Sequence, residues 1–260
     1  MPFTHSGELR LFQFESLLQH NLQHAVFTRR GGVSPHPWQS LNLCGTVGDE
    51  PERVRHNKRL ALAALDCDPD SVFDVWQVQS NRVLVAESPR GEQKPSQADA
   101  IITNRPELTL LMRFADCVPI LLYDPVRSAV GMVHAGWLGT VLKVAAEAVL
   151  AMQQTFGSQP TDLLAGIGPS IGPDHYPVGP EVVDQVRGAF GEEADRHLHP
   201  RDGEVCLDLW SANHSLLAHL GVGFIEQSGL CTACHPEDWY SHRGDRGRTG
   251  RFGAAVSLGG

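Results

Sequence analysis

The chain has 260 residues, 42% hydrophobic and 20% charged, a balance that belongs to a folded globular protein and excludes a disordered or coiled-coil one. Its net charge of -9 speaks against a general binder of nucleic acid, which needs a basic face. No apolar run approaches the roughly 18 residues of a membrane span, and Met1-Pro2-Phe3-Thr4-His5-Ser6 has no signal-peptide pattern, so a cytoplasmic location is expected, where the six cysteines are thiols rather than disulfides.

Apolar alternation predicts strands near Leu9 to Phe14 and Ala25 to Thr28, followed by a Gly, Pro and Ser-rich loop through Gly48. Asp49 and Pro51 start a helix that runs to about Asp66, with Val54, Ala61 and Leu65 on one face. Strands are expected at Val72 to Val78, Arg82 to Ala86, Ala100 to Thr103, Leu108 to Arg113, Val118 to Tyr123 and Ala129 to His134. Asp124-Pro125 supplies the turn between the last two. Ala135-Gly136-Trp137-Leu138-Gly139-Thr140 then opens a helix with Val141, Val144, Ala145, Ala148, Val149 and Met152 on one side. A strand at Asp162 to Gly168, helices at Glu181 to Phe190 and Leu209 to Leu220, a short strand and a polar, Arg-rich ending complete the pattern. Gly191 to Gly203 reads as a mobile loop. With no repeat and no linker, residues 1–260 form one mixed α and β domain.

Two residues stand out for chemistry. Cys117, in Asp116-Cys117-Val118-Pro119, precedes a strongly apolar strand, and His134 closes the next one. If the strands pair around Asp124, both side chains reach the same end of the sheet. A thiolate and an imidazole there make either a zinc half-site or a nucleophilic Cys-His pair. Cys231-Thr232-Ala233-Cys234 lacks the second Cys pair of a closed zinc site, so these cysteines are expected to be dispensable for metal binding, with His235 and His242 as the only helpers in view. Gly166-Ile167-Gly168-Pro169 fails as a dinucleotide loop because of Pro169, and no Gly-x-Ser-x-Gly elbow exists.

Further segments follow in order: Thr28-Arg29-Arg30-Gly31-Gly32-Val33-Ser34, Ser40-Leu41-Asn42-Leu43, Val47-Gly48-Asp49, Gln97-Ala98-Asp99-Ala100, Ala115-Asp116-Cys117-Val118-Pro119-Ile120, Val133-His134-Ala135-Gly136-Trp137, Gly166 to Pro173, Leu207-Asp208-Leu209 and Tyr240-Ser241-His242-Arg243. Together they resemble the bacterial laccase-domain, or multicopper polyphenol oxidase, family across nearly the whole chain. The resemblance implies a single-domain α+β fold of four layers, α/β/β/α with mixed sheets, like that of cysteine-dependent toxin deamidases. It also implies zinc and two activities: phosphorolysis of adenosine, inosine, guanosine and methylthioadenosine, and adenosine deamination. Purine nucleosides and phosphate are then the partners, with no nucleic acid or membrane. The family's metal ligands map onto Cys117 and His134, but where its first His is expected this chain reads Trp76-Gln77-Val78-Gln79. Gln79 offers an amide oxygen, a poor zinc ligand beside Cys and His.

Asp116 is a candidate proton carrier or orienting group. Arg30 and Arg243 are candidates for phosphate because a guanidinium pairs two phosphate oxygens at once; Asn42 joins them as a substrate-binding candidate. Three other readings stay open. A metal-free Cys-His hydrolase or peptidoglycan-precursor editing factor needs no third ligand. A copper polyphenol oxidase needs clustered His, and the single His-x-His is His197-Leu198-His199. A non-catalytic nucleoside-binding protein needs only the fold.

Overall fold

Along Thr109–Phe114, Leu110 and Met112 join one hydrophobic cluster while Leu111 joins another, the period-2 alternation of a strand buried on both faces. The same division repeats in the neighbouring strand Phe252–Ser257, where Ala254 and Val256 face one way and Ala255 the other. Two-sided burial of this kind requires a layer above and a layer below. The computed structural model, which describes residues 3–259, supplies them.

The first sheet has six strands in the order Phe3–Ser6, Leu9–Phe12, Gln23–Phe27, Phe252–Ser257, Thr109–Phe114, Val72–Asp74. The second runs Phe224–Gln227, Leu164–Ile167, Val118–Asp124, Ala129–Ala135, Ala100–Thr103, Val83–Val85. Both mix parallel and antiparallel pairs. Between them lies an apolar layer that includes Phe12, Phe14, Met112, Phe252, Leu121 and Met132. Gly166 leaves room there, since a Cβ on it would stand 2.6 Å from the Phe14 ring.

Outside the first sheet, Ala61 and Leu62 of helix Pro51–Ala63 pack on Leu9, Leu11, Phe27 and Leu111. Pro at the start of that helix carries no N–H to leave unsatisfied. Outside the second sheet, Val144, Ala145, Ala148, Val149 and Met152 of helix Val144–Phe156 cover Ile102, Ile120, Leu122 and Val133, together with helices Pro180–Phe190 and Leu209–His219. The result is the α+β arrangement with four layers. No helix among the described residues is long and apolar enough to cross a membrane.

Several elements depart from the sequence reading, among them the helix expected to carry both Val141 and Val144, which breaks at Lys143, φ 62°, into Trp137–Val141 and Val144–Phe156. Gly191 to Gly203 is a 3-10 turn, Gly191–Arg196, followed by strand Leu198–Arg201, which pairs with Glu204–Leu207 in a small third sheet. The polar ending contains Phe252–Ser257, an inner strand of the first sheet. The expected strand from Val72 to Val78 stops at Asp74, and the chain then loops around Asp99.

Candidate active site

The shortest of the chain's crossings between the two sheets lies here: Thr109–Phe114 ends in the first, and Ala115-Asp116-Cys117 leads into Val118–Asp124 of the second. Asp116 makes the crossover with a left-handed φ of 81°, which costs a non-glycine residue about 1–3 kcal/mol. Three bonds hold it there. Thr232 Oγ1 donates to Oδ1 at 2.7 Å, the Arg243 N–H donates to Oδ2 at 2.6 Å, and the Ile171 N–H donates to the Asp116 carbonyl at 3.0 Å. The carboxylate is thereby committed to orienting loops, and both of its oxygens are engaged. Cys117, the next residue, stays partly exposed.

The hairpin brings His134 to the same end, because Pro119 pairs with His134 and Val118 with Ala135. His134 alternates in register with Val130 and Met132 and so points between the sheets, where its ring lies 5.5 Å from that of Phe114. Its Nδ1 is 2.8 Å from Asp99 Oδ1. A carboxylate accepts, so Nδ1 carries the proton and donates it, leaving Nε2 for chemistry. Burial opposes the imidazolium, but the Cys117 sulfur and Asp99 outweigh it and raise the His134 pKa to about 9.

Asp99, which nothing in the sequence marks beyond its place in Gln97-Ala98-Asp99-Ala100, organises the site. It is fully buried and accepts the N–H groups of Val78, Gln79 and Ser80 at 3.2, 3.0 and 2.6 Å, and the Ser80 hydroxyl at 2.8 Å. Burial works against its charge; the bonds from His134 and Ser80 prevail and hold the carboxyl below its ordinary value. By gathering these N–H groups Asp99 also places Gln79, whose φ is 59°. A methyl built on Gly136 would stand 2.9 Å from Cys117 Sγ and 3.3 Å from Gln79 Oε1. Sulfur and carboxamide therefore flank the same small residue.

These groups open on a cleft of about 550 Å³ that Trp76, Lys58, Arg90, Arg113 and His242 also line. Asp74, 4% exposed at its side chain, is the counter-ion of three cations. Arg90 pairs with it closely, Arg113 lies at 3.3 Å and Lys58 at 3.9 Å. Burial, then the neighbouring Arg113 and Arg90, lower the Lys58 pKa, with Asp74 only partly offsetting them. One carboxylate facing three cations leaves an excess of positive charge beside Cys117 and His134.

The other sequence candidates lie elsewhere. Arg30 pairs with Asp238 at 2.7 Å and donates to the Glu237 carbonyl, so it braces the loop at Glu237 and is not among the cleft-lining residues. Asn42 is fully buried, and its amide bonds Cys44, Asp49 and the Arg251 N–H, which leaves nothing for a ligand. Arg243 donates to the Pro177 carbonyl and lies over the Tyr176 ring at 4.9 Å, lining a neighbouring depression. Cys231 and Cys234 have a third donor beside them after all: His175, 56 residues upstream of Cys231. His235 instead faces Glu237, and His242 the cleft.

The profile described as multi-copper polyphenol oxidoreductase laccase matches residues 23–259. A purine nucleoside phosphorylase of Bacteroides thetaiotaomicron is 32% identical over 96% of each chain, and one of Deinococcus radiodurans is 38% identical over 90% of this chain and 88% of its own. The crystal structure of Bacillus licheniformis hypothetical protein YfiH superposes with a TM-score of 0.90, 35% identity and 99% of each chain covered; that of YlmD from Geobacillus stearothermophilus gives 0.92 and 30%, covering 100% of this chain and 99% of that one. The chain belongs to the multi-copper polyphenol oxidoreductase laccase family.

The donors at the site decide whether it fits the metal that this laccase family implies. Cys117 and His134 are strong zinc ligands, and Asp99 behind His134 is the carboxylate that usually fixes such a ligand. The third side chain is the Gln79 carboxamide, where a catalytic zinc takes a third His, Cys or carboxylate. Asp99 cannot stand in, since its oxygens are occupied by His134 and the loop of residues 78–80. The set does not fit a three-ligand zinc. Copper fares no better among the described residues: His197 faces Ser211 and Phe190, and His199 faces Asp208.

Proposed function

We propose that this chain is a purine nucleoside phosphorylase acting on adenosine, inosine, guanosine and methylthioadenosine. The observation that carries the reading is the opening of a cationic pocket, Lys58, Arg90 and Arg113, onto the cleft that holds His134. Phosphate satisfies the charge excess around Asp74, and Lys58, destabilised as a cation without it, gains the most. The exposed face of Trp76, 49% accessible, offers a flat surface for a purine. Phosphate then attacks the ribose C1′ as the bond to the base breaks, and the departing purine needs a proton. His134, held protonated by Cys117 and Asp99, donates it. No step of this mechanism uses a metal.

The relatives' names support the same reaction class. Adenosine deamination, the second activity expected of the family, is supported by the Cys117, His134 and Asp99 alignment: the Cys117 sulfur adds to the purine C6, His134 gives its proton to the departing ammonia, and water then displaces the sulfur to leave inosine. The test is release of hypoxanthine from inosine by the purified chain, with and without phosphate. Lys58→Ala raises the KM for phosphate roughly ten- to hundredfold, the worth of one charged hydrogen bond. Purine release independent of phosphate, or none at all, overturns the reading.

A further inference from the structure

Outside the cleft, one imidazole nitrogen and two sulfurs converge. His175 Nδ1 lies 3.8 Å from Cys231 Sγ and 3.6 Å from Cys234 Sγ, and all three atoms fall within 4.8 Å of one another. A tetrahedral zinc with Zn–S near 2.3 Å and Zn–N near 2.0 Å holds sulfur and nitrogen ligands about 3.5 Å apart. A few tenths of an ångström separate the observed spacing from a bound one.

We propose that His175, Cys231 and Cys234 hold a zinc ion, distinct from any metal at Cys117. Two thiolates and an imidazole are the soft donor set that selects zinc. The Gly172 N–H donates to Cys231 Sγ at 3.1 Å, the kind of outer bond that fixes a thiolate ligand. Gly172 allows this closeness, because a Cβ there would meet Cys231 Sγ at 3.2 Å. The backbone is equally prepared: Ser170 N–H donates to the Leu230 carbonyl and Thr232 N–H to the Ser170 carbonyl, so Cys231 is docked against the Gly168 to Gly172 loop. Cys231 is buried while His175 and Cys234 are exposed, which gives the ion a route in. The Asp174 carboxylate, 3.1 Å from His175 Nδ1, holds that nitrogen until zinc displaces the contact, and water takes the fourth position.

The ion ties the turn Pro173–His175 to the turn of residues 231–234. Thr232, between the two cysteines, bonds Asp116, so the zinc braces the wall from which Cys117 is presented.

The experiment measures zinc on the full chain after chelation and titration. One zinc binds tightly to the natural protein and equally to Cys117→Ala. Cys234→Ser and His175→Ala, both at exposed side chains, stay folded by circular dichroism and lose at least about a hundredfold in affinity. Cobalt in place of zinc gives a thiolate charge-transfer band that survives Cys117→Ala and weakens in Cys234→Ser. Retention of zinc by both Cys234→Ser and His175→Ala, absence of tight zinc in the natural protein, or a Cys231 to Cys234 disulfide in chain prepared under reducing conditions overturns the proposal. Metal content is the readout, so its failure is separate from failure of phosphorolysis.

Discussion

Replacing Asp99 by Asn keeps the size of the side chain and removes its charge. An amide cannot accept from His134 and from the whole 78–80 loop together, so the imidazole loses its fixed tautomer and its charge partner. Asp99→Asn is expected to lower kcat for inosine phosphorolysis by roughly 10²–10⁴-fold. The pH profile carries a second signature. As the acid, His134 works below its pKa, and activity falls as pH rises through about 9; in Asp99→Asn that limb moves to lower pH. Cys117→Ala and His134→Ala lose turnover while the protein stays soluble. Gln79→His supplies the missing third donor, and zinc affinity at Cys117 and His134 rises by more than roughly a hundredfold, measured by titration in the Cys234→Ser background. Equal affinity would mean that residue 79 does not reach the shared centre. The Cys117 and His134 pair was legible because a turn and two apolar strands set the register of both. Asp99 was not, since it lies 35 residues before His134, just ahead of strand Ala100–Thr103, which is two places away from Val118–Asp124, and nothing local marks a carboxylate as the partner of a distant imidazole.

At the level of elements, the junction between strand Ala129–Ala135 and helix Trp137–Val141 turns on Gly136. Its φ of -76° suits any residue, so glycine is needed there for space: a methyl would stand 2.9 Å from Cys117 Sγ. Gly136→Ala should displace the sulfur and cut kcat/KM at least tenfold, with a destabilisation of about 1–3 kcal/mol from overpacking, read from turnover and urea midpoints on the same preparation. Unchanged turnover would show that Cys117 tolerates displacement and that its position is not critical. The hairpin and the long helices were readable from period and turn residues. Phe252–Ser257 was not: Gly253, Ala254 and Ala255 have little strand preference, and the Arg-rich run before them disguises an inner strand. The cationic pocket escaped for a related reason. Lys58 comes from a helix, Arg90 from a loop and Arg113 from a strand, and only the tertiary fold gathers them.

For the molecule as a whole, His24 makes stability depend on pH. It is fully buried, its Nε2 accepts the Phe14 N–H at 2.9 Å and its Nδ1 donates to the Leu22 carbonyl at 2.8 Å. Burial, against the pull of the Leu22 carbonyl and Glu226, lowers its pKa below 6.5. The folded state thus favours the neutral ring. As pH falls below about 6.5 the unfolded chain binds the proton first, and stability is lost until the folded pKa is passed. Urea midpoints between about pH 7.5 and 5 should fall in the natural protein and fall less in His24→Gln; parallel curves would mean that His24 does not carry this dependence.

The place of Phe252–Ser257 between Gln23–Phe27 and Thr109–Phe114 also orders events in time. Synthesis delivers the two flanking strands long before the one that joins them, so both wait with unpaired edges while more than half the chain is still to be made. Joining them closes loops of very different lengths at once, a slow step in any folding route dominated by distant contacts. Since Thr109–Phe114 leads directly into Asp116 and Cys117, that crossover gains its fixed position only when this late strand arrives.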